Sequence, residues 1–278
     1  MRQIRIVPKN GYIILMVLYS EPDTELKEDN GRYAVVDPGV SNLAAVYSNV
    51  MKPFIISGGP LKSINQFYNK ETAKAKSLLA ENKNTVINEV TKDKEEQKTS
   101  HKTERLQMNR YNKINDYLHK ASSLIVQFLL SNKINTFIVG HSKGWKQSTR
   151  MRHKSNNMQN YQFIPFTRFF WMLEYKCKKH GIRFIMQEES YTSQASLIDS
   201  DDIPVYDASL RKEERKKMAK FSGRRVKRGL YKASDGCLLN ADINGAGNTL
   251  RKYLRSIMGV CDADKLCLPA DRGFVMNP

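Results

Sequence analysis

The sequence predicts an α/β fold in which a mixed β-sheet is flanked by helices, and three observations support this prediction. Short apolar runs rich in Val, Ile, Leu and aromatic residues recur between turn residues, as strands do. A segment without Pro or Gly, residues 61–131, then interrupts these runs and is typical of long helices. Beyond it, apolar runs alternate with an amphipathic helical pattern, which favours parallel strands joined through a helix.

The chain is strongly basic. Its 278 residues contain 46 Lys and Arg against 28 Asp and Glu, which gives a formal net charge of +18. Such an excess would repel itself in a compact fold unless a polyanion shared the surface, and nucleic acid is the commonest polyanion. A merely basic protein without such a partner is the alternative. The length allows one large domain or two smaller ones.

The cysteines and the apolar runs bear on metal content and location. Cys177, Cys237, Cys261 and Cys267 include no C-x-x-C pair, so the sequence predicts no structural zinc. Scattered cysteines and a start without an apolar signal segment are typical of cytoplasmic proteins. The longest apolar run, Tyr12 to Tyr19, is too short to cross a bilayer and is typical of a strand.

The first part of the chain has the pattern of strands. We predict two short strands within residues 3–20, joined at Asn10-Gly11, and interpret residues 1–30 as the remnant of an N-terminal β module. We then predict a meander of three strands, over Tyr33–Asp37, Leu43–Tyr47 and Pro53–Ser57. Asp37 therefore stands at the tip of a strand, just before a Pro-Gly turn.

The later elements add two strands and a final helix. Residues 61–131 are predicted to form two helices joined near 93–103, inserted into a main domain that spans 31–258. We predict the following elements next: a strand over Thr136–Gly140, a helix over 163–180, a strand over 182–187 and a helix over 240–257. The tail, 259–278, is expected to be irregular.

Acidic residues stand at the ends of three of these elements. Asp37 and the pair Glu188-Glu189 follow apolar runs, and Asp242 opens the last helix. Carboxylates gathered at the ends of adjacent elements repel one another unless they are protonated or share cations. Mg²⁺ prefers oxygen ligands, and two such ions can activate water and stabilise the leaving oxygen in phosphodiester cleavage. Each acid taken alone is more often a turn former or a helix cap.

Two basic segments are candidate contacts for nucleic acid. The first mixes cations with one aromatic residue and comprises Lys143, Trp145, Lys146, Arg150 and Arg152. The second comprises Arg224, Arg225, Lys227 and Arg228. Cations can neutralise phosphates, and a Trp ring can stack on a base. As alternatives, Trp145 could pack the loop against the protein, and a charge run can be a solvated surface.

Five ordered segments make the pattern more specific. They are 36–44 (Val-Asp-Pro-Gly-Val-Ser-Asn-Leu-Ala), 137–147 (ending Gly-Trp-Lys-Gln), 188–196 (containing Tyr-Thr-Ser), 221–231 and 240–248 (Asn-Ala-Asp-Ile-Asn-Gly-Ala-Gly-Asn). In this order they resemble the motifs of the TnpB/OrfB family of transposon-encoded, RNA-guided DNA endonucleases, which are relatives of the type V CRISPR effectors. The resemblance spans roughly residues 30–255.

The resemblance implies a RuvC-like (RNase H-like) nuclease with a helical hairpin insertion, which cleaves DNA by a two-metal mechanism with Mg²⁺ or Mn²⁺ and binds a guide RNA. Asp37 and Asp242 match the family's first and last catalytic acids. The usual middle glutamate would stand where this chain has Gly140 and His141. We therefore assign its role, as catalytic residue and metal ligand, to Glu189, with Glu188 second, since strand alternation turns only one of them toward the site.

The sequence departs from the family pattern in two further places, and the missing N-terminal module, together with the displaced glutamate, favours an alternative function. Ser196 stands where many relatives have the first cysteine of a zinc ribbon. The family's usual N-terminal module, which helps to bind guide RNA and duplex DNA, is almost wholly absent, so a second polypeptide could supply it. The alternative is a truncated homologue that binds RNA or DNA without cleaving it and regulates transposition.

Overall fold

The computed structural model describes residues 2–9, 12–20, 24–84, 101–141, 163–207, 218–259 and 274–276, together with residues 209, 211, 213 and 214. The chain divides into two compact units. One consists of Met1–Asp23 and Pro60–Leu118, and the other consists of Thr24–Gly59 and His119–Pro278. The domain boundaries expected at residues 30, 61, 131 and 258 remain predictions.

The first unit contains a β-hairpin and most of two long helices. Strand β1 (Gln3–Lys9) pairs antiparallel with β2 (Tyr12–Leu18), so the predicted hairpin is confirmed. Helices α1 (Gly59–Asn84) and α2 (His101–Ser131) confirm the two predicted helices. Ile114 and Leu118 of α2 are buried, as the spacing of its apolar residues indicated.

A six-stranded sheet forms the centre of the second unit. Its strands are β3 (Tyr33–Pro38), β4 (Asn42–Ser48), β5 (Phe54–Ser57), β6 (Thr136–Gly140), β7 (Arg183–Gln187) and β11 (Phe274–Met276). Across the sheet they lie in the order β11-β5-β4-β3-β6-β7. Strands β3, β4 and β5 form the predicted antiparallel meander, whereas β6 and β7 run parallel to β3. The predicted mixed sheet is thus confirmed.

The parallel pairing brings three strand ends to one edge of the sheet. In β3 and β6, Val36 lies opposite Val139, and in β6 and β7, Gly140 lies opposite Gln187. Because parallel strands end at the same edge, the residues that follow these positions are neighbours in space. Asp37 follows Val36, and Glu188 and Glu189 follow Gln187, so the topology itself gathers acids that are far apart in the sequence.

Two helices complete the core of the second unit. Helix α4 (Ala241–Met258) packs against β3 and β4, and its Ile243 and Leu250 share a buried cluster with Val35 of β3. Helix α3 (Phe166–Lys179) packs against β7 and buries Phe169 and Leu173. The predicted sheet flanked by helices is therefore what the chain forms. None of the described helices is long and apolar enough to span a membrane.

The basic stretch after residue 220 forms a second sheet that the sequence did not predict. Strands β8 (Arg224–Lys227), β9 (Leu230–Lys232) and β10 (Leu238–Asn240) pair antiparallel in the order β10-β9-β8. Only Tyr231 and Leu239 of these strands are buried, so the surrounding charges concealed the strand pattern. The tail, expected to be irregular, contributes β11, which pairs parallel to β5.

Candidate active site

Asp37 lies at the end of β3, close to the first turns of α4. The strand is buried up to this residue, and the following Pro38-Gly39 turns the chain. A Cβ added to Gly245 of α4 would lie 2.8 Å from Asp37 Oδ2, which is closer than a carbon and an oxygen atom can approach. A glycine at position 245 therefore leaves the space that the Asp37 carboxylate occupies.

Glu189 occupies the space that Gly140 leaves at the end of β6. A Cβ added to Gly140 would lie 2.6 Å from Glu189 Oε2 and 3.4 Å from the carbonyl oxygen of Val36. Since Val36 directly precedes Asp37, the Glu189 carboxylate reaches the end of β3. It lies beside the backbone position at which the resembled family usually has its glutamate.

Glu188 has a different partner. Lys252 Nζ of α4 donates to Glu188 Oε2 at 2.5 Å and to the carbonyl oxygen of Ser190 at 3.2 Å. The backbone N–H of Ser190 donates to Glu188 Oε1 at 2.6 Å. Burial acts to raise the pKa of Glu188, but these hydrogen bonds outweigh it and hold the pKa below its usual value. Of the two glutamates, Glu188 is thus held by Lys252, and Glu189 is the one whose charge acts on Asp37.

Asp242 is held in the first turn of α4 by three neighbours. The side chain of Asn240 caps the helix, and its Oδ1 accepts from the backbone N–H of Asp242 at 2.9 Å. Asn42 Nδ2, at the start of β4, donates to Asp242 Oδ2 at 2.6 Å. Arg225 Nη2, in β8, donates to Asp242 Oδ1 at 3.2 Å. The carboxylate is therefore oriented from two strands that belong to different sheets.

Two other acids act electrostatically on Asp37. The pKa of Asp37 is raised well above its usual value, chiefly by burial and then by the negative charges of Glu189 and Asp242. The positive charge of Arg225 opposes this shift without cancelling it. Charges from the segment after β7 and from α4 thus make the charge of Asp37, at the end of β3, harder to form.

The donor set fits a hard divalent cation in its chemistry. Carboxylate oxygens are the ligands that Mg²⁺ and Mn²⁺ prefer. In the part of the chain that the structure describes, no three Asp, Glu, His or Cys side chains are gathered closely enough to hold a metal ion as they stand. A shared cation would relieve the repulsion that raises the pKa of Asp37, and it would compete with Arg225 for Asp242. The residues therefore fit a divalent cation by charge and donor type, although their present arrangement does not form a closed metal site.

Two buried asparagines of α4 fix the segment that follows Glu189. Asn248 Nδ2 donates to the carbonyl oxygens of Thr192 and Ala195, at 3.0 and 2.7 Å. Asn244 Nδ2 donates to Ala195 O at 2.7 Å, and its Oδ1 accepts from the N–H of Leu197 at 3.0 Å. Because both amides are fully buried, this segment is tied to the same helix that carries Asp242.

The predicted contacts for nucleic acid fall into two groups. The first segment, with Lys143, Trp145, Lys146, Arg150 and Arg152, lies outside the described residues. The second forms β8 and the turn after it, and its four cations are exposed. Arg225 pairs with Asp242, and Arg228 Nη2 donates to Ser41 Oγ at 2.7 Å. Arg225 thus belongs to the acidic cluster, a position that the charge pattern alone did not indicate.

Sequence reasoning missed two polar residues that orient the acids. Asn42 contacts Asp242, and its signal was present as the asparagine of the first quoted motif, five residues after Asp37. Lys252 is 8% exposed and pairs with Glu188, which holds the carboxylate of that glutamate in place. No local signal marks Lys252, because its partner is 64 residues away along the chain.

Two family models match consecutive parts of the chain. The model described as a probable transposase, OrfB of the IS605 type, matches residues 16–146. The model of the Cas12f1-like TNB domain matches residues 166–249. Together they cover more than three quarters of the 278 residues. A search among curated proteins found no match.

Solved structures with some similarity to the chain are CRISPR effectors. One is a Cas12f1–sgRNA–target DNA complex, with 19% identity and a TM-score of 0.49. The match covers 82% of this chain and 39% of the chain in that complex. A CRISPR–Cas12f ternary complex has 19% identity and a TM-score of 0.48, with 84% and 40% covered. Alicyclobacillus acidoterrestris C2c1 with single-guide RNA has 13% identity and a TM-score of 0.39, with 69% and 19% covered.

The chain spans about two fifths of the length of the first two of these proteins. The comparisons do not support the second polypeptide that was expected to supply an N-terminal module. The two consecutive family-model matches agree with the five ordered motifs of the sequence. The chain is therefore a member of the TnpB-like family.

Proposed function

We propose that the chain is a divalent-metal-dependent DNA endonuclease whose catalytic residues and metal ligands are Asp37, Glu189 and Asp242. The observation that supports this most directly is that the charges of Glu189 and Asp242 both act on the Asp37 carboxylate. These acids come from separate elements of the fold, and the spaces at Gly140 and Gly245 admit two of them. The non-cleaving alternative is less favoured, because a protein that only binds has no use for a buried carboxylate whose charge two other acids disfavour.

Each of the residues at the site has a distinct role in this proposal. Asp37, Glu189 and Asp242 provide the oxygen ligands, and Asn42 orients Asp242. Arg225 pairs with Asp242 and offsets part of its negative charge. Bound Mg²⁺ or Mn²⁺ would supply activation of a water molecule and stabilisation of the departing oxygen of the phosphodiester.

We further propose that the partners are DNA, as the substrate, and a guide RNA. The formal net charge of +18 supports binding to two polyanions, because cations released from nucleic acid favour such association. Arg224 and Lys227 on the exposed strand β8 lie close in sequence to Arg225 and are placed to contact a backbone near the acids. The cations at 143–152 are proposed, from the sequence alone, as a further contact for nucleic acid.

The two neighbouring glutamates provide a matched test of the proposed function. We expect Glu189→Gln to reduce cleavage of labelled single-stranded DNA in Mg²⁺ by more than about 100-fold, the largest loss usual for a residue that only positions a ligand. We expect Glu188→Gln to retain cleavage but to lower the melting temperature, because Lys252 loses its charged partner. The assay should be run with and without RNA that copurifies from the host locus.

The outcomes separate the competing functions. Cleavage that needs the RNA and the Glu189 carboxylate supports a guided nuclease. Cleavage that survives Glu189→Gln contradicts the proposed site, and binding of RNA and DNA without any cleavage supports the truncated homologue instead. If Glu188→Gln abolishes cleavage and Glu189→Gln does not, the assignment of the two glutamates is reversed.

The space at Gly140 permits a steric test that leaves every polar side chain in place. We expect Gly140→Ala to lower cleavage by about 100-fold, since the new Cβ would displace the Glu189 carboxylate by about 1 Å. Stability should be nearly unchanged, because alanine suits a strand at least as well as glycine. In the Glu189→Ala background, Gly140→Ala should cause no further loss of cleavage. A further loss there would mean that Gly140 acts through another group.

A further inference from the structure

The first unit contains a cavity between α1 and α2 that the proposed nuclease site does not use. Its volume is about 220 Å³. It is lined by Ser63, Ile64, Phe67, Tyr68, Leu106, Asn109, Arg110 and Lys113. These side chains combine aromatic rings, two cations and small polar groups, and none of them is acidic.

The aromatic residues of the cavity offer surface for stacking. Phe67 is 58% exposed, which is unusual for a large apolar side chain that lines a cavity. The adjacent Tyr68 carries the guanidinium of Arg110 over its ring, 5.0 Å from the ring centroid. A flat ligand can therefore lie against Phe67 with a fixed cation nearby.

The side chain of Arg110 is held in place by a hydrogen bond to a buried amide. Its Nε donates to Oδ1 of Asn65 at 2.7 Å. Asn65 is 1% exposed, and its Nδ2 has no acceptor among the described residues. The buried Asn65 thus fixes the position of the Arg110 guanidinium, so that a ligand in the cavity meets a cation whose place is already set.

The surroundings of the cavity favour an anionic ligand. The stretches 59–84 and 101–118 contain nine Lys and Arg against four Asp and Glu. The cavity is smaller than the roughly 300–1,000 Å³ of pockets for drug-sized ligands, so it has space for one ring system. An aromatic face, a fixed guanidinium and a second cation together match a nucleobase and its phosphate.

We propose that this cavity binds one unpaired nucleotide of a single-stranded nucleic acid, with the base against Phe67 and the phosphate against Arg110 and Lys113. The site would hold the strand independently of the carboxylates, which lie in the other unit. Its ligand is therefore bound in the absence of divalent metal and without cleavage.

The test measures binding of the full chain to fluorescein-labelled single-stranded oligonucleotides in EDTA, by anisotropy, with RNA and DNA of the same sequence. We expect Phe67→Ala to weaken binding at least about fivefold, the factor that corresponds to the low end of base–aromatic stacking. We expect Lys113→Gln to weaken binding more than Lys74→Gln, which removes the same charge from an ion pair with Glu71 outside the cavity. A preference for RNA or for DNA would support the proposal and identify the occupant.

Stacking is tested separately with an oligonucleotide that contains 2-aminopurine. Its fluorescence should be quenched on binding to the wild-type chain and much less on binding to Phe67→Ala. Phe67 is exposed, so the variant should fold, and its melting curve verifies this. The proposal is wrong if Phe67→Ala binds as the wild type does, or if Lys74→Gln and Lys113→Gln weaken binding equally. Because metal is absent, neither result depends on whether the carboxylates catalyse cleavage.

Discussion

Replacing Asp37 with Asn is expected to abolish cleavage and, in the absence of metal, to make the folded protein more stable near neutral pH. Asn keeps the size of the side chain but removes a charge that burial, Glu189 and Asp242 all disfavour. The loss of cleavage should exceed the 10- to 100-fold typical of a residue that only positions a ligand. The same substitution should therefore raise the stability of the folded protein while it removes the cleavage activity.

The pH dependence follows from the direction of the pKa shift. The raised pKa of Asp37 means that the folded state keeps this proton to higher pH than the unfolded state does. The free energy of unfolding therefore falls as the pH rises from the unfolded pKa, near 4, through the raised folded value. Asp37→Asn lacks this decrease, so the two proteins should differ little at acidic pH and most above the folded pKa.

Thermal melting at several pH values, with and without Mg²⁺, measures both effects. Mg²⁺ should stabilise the wild type, because the ion binds the charged carboxylates of the folded state, and it should have little effect on Asp37→Asn. Asp202→Asn is the charge-matched control, since its side chain is 92% exposed and pairs with Arg255 on the surface. Equal stabilisation of wild type and Asp37→Asn by Mg²⁺ would show that the ion binds elsewhere.

The sequence was sufficient to predict five of the six strands of the central sheet and the positions of the acids along them. The apolar run before Asp37 and the run at 136–140 have the composition of buried strands, and both are strands in the structure. An acid directly after such a run must lie at the end of the strand. Since parallel strands end at one edge, the convergence of Asp37 and the 188–189 pair followed from topology.

The choice between Glu188 and Glu189 could not be made from the strand pattern alone. Strand alternation separates the two side chains, but only the structure shows that Lys252 pairs with Glu188 and that the charge of Glu189 acts on Asp37. The position of Arg225 was unpredictable for a similar reason. Its exposed strand pairs through backbone atoms, and its contact with Asp242 depends on how that second sheet meets α4.

The segment around Ser196 is held by carboxylates at the place where relatives of the family have cysteines. Asp201 Oδ2 accepts from the backbone N–H of Ser196 at 2.7 Å. The N–H and the hydroxyl of Ser222 also donate to Asp201, at 3.0 and 2.6 Å. Asp201 thereby connects the segment that follows Glu189 to the approach to β8, the strand that carries Arg225.

Asp201→Ala is therefore expected to lower the free energy of unfolding by about 2–4 kcal/mol. Ser196 is fully buried, so its N–H would lose its acceptor without gaining water, whereas Ser222 is exposed and can bind water instead. Urea unfolding followed by circular dichroism measures the change. Asp201→Asn, which retains one acceptor oxygen, should cost less than Asp201→Ala.

The adjacent Asp202 is the control for position and charge, and Asp202→Ala should cost less than about 1 kcal/mol because the Asp202 side chain is 92% exposed and its charge is screened by water. Equal losses from Asp201→Ala and Asp202→Ala would mean that the Ser196 segment does not depend on its carboxylate acceptor.

A cleavage assay of Asp201→Ala well below the melting temperature adds a second criterion. Since the segment starts at Glu189, loosening it should also lower cleavage, and full retention of cleavage would mean that Asn244 and Asn248 suffice to position Glu189.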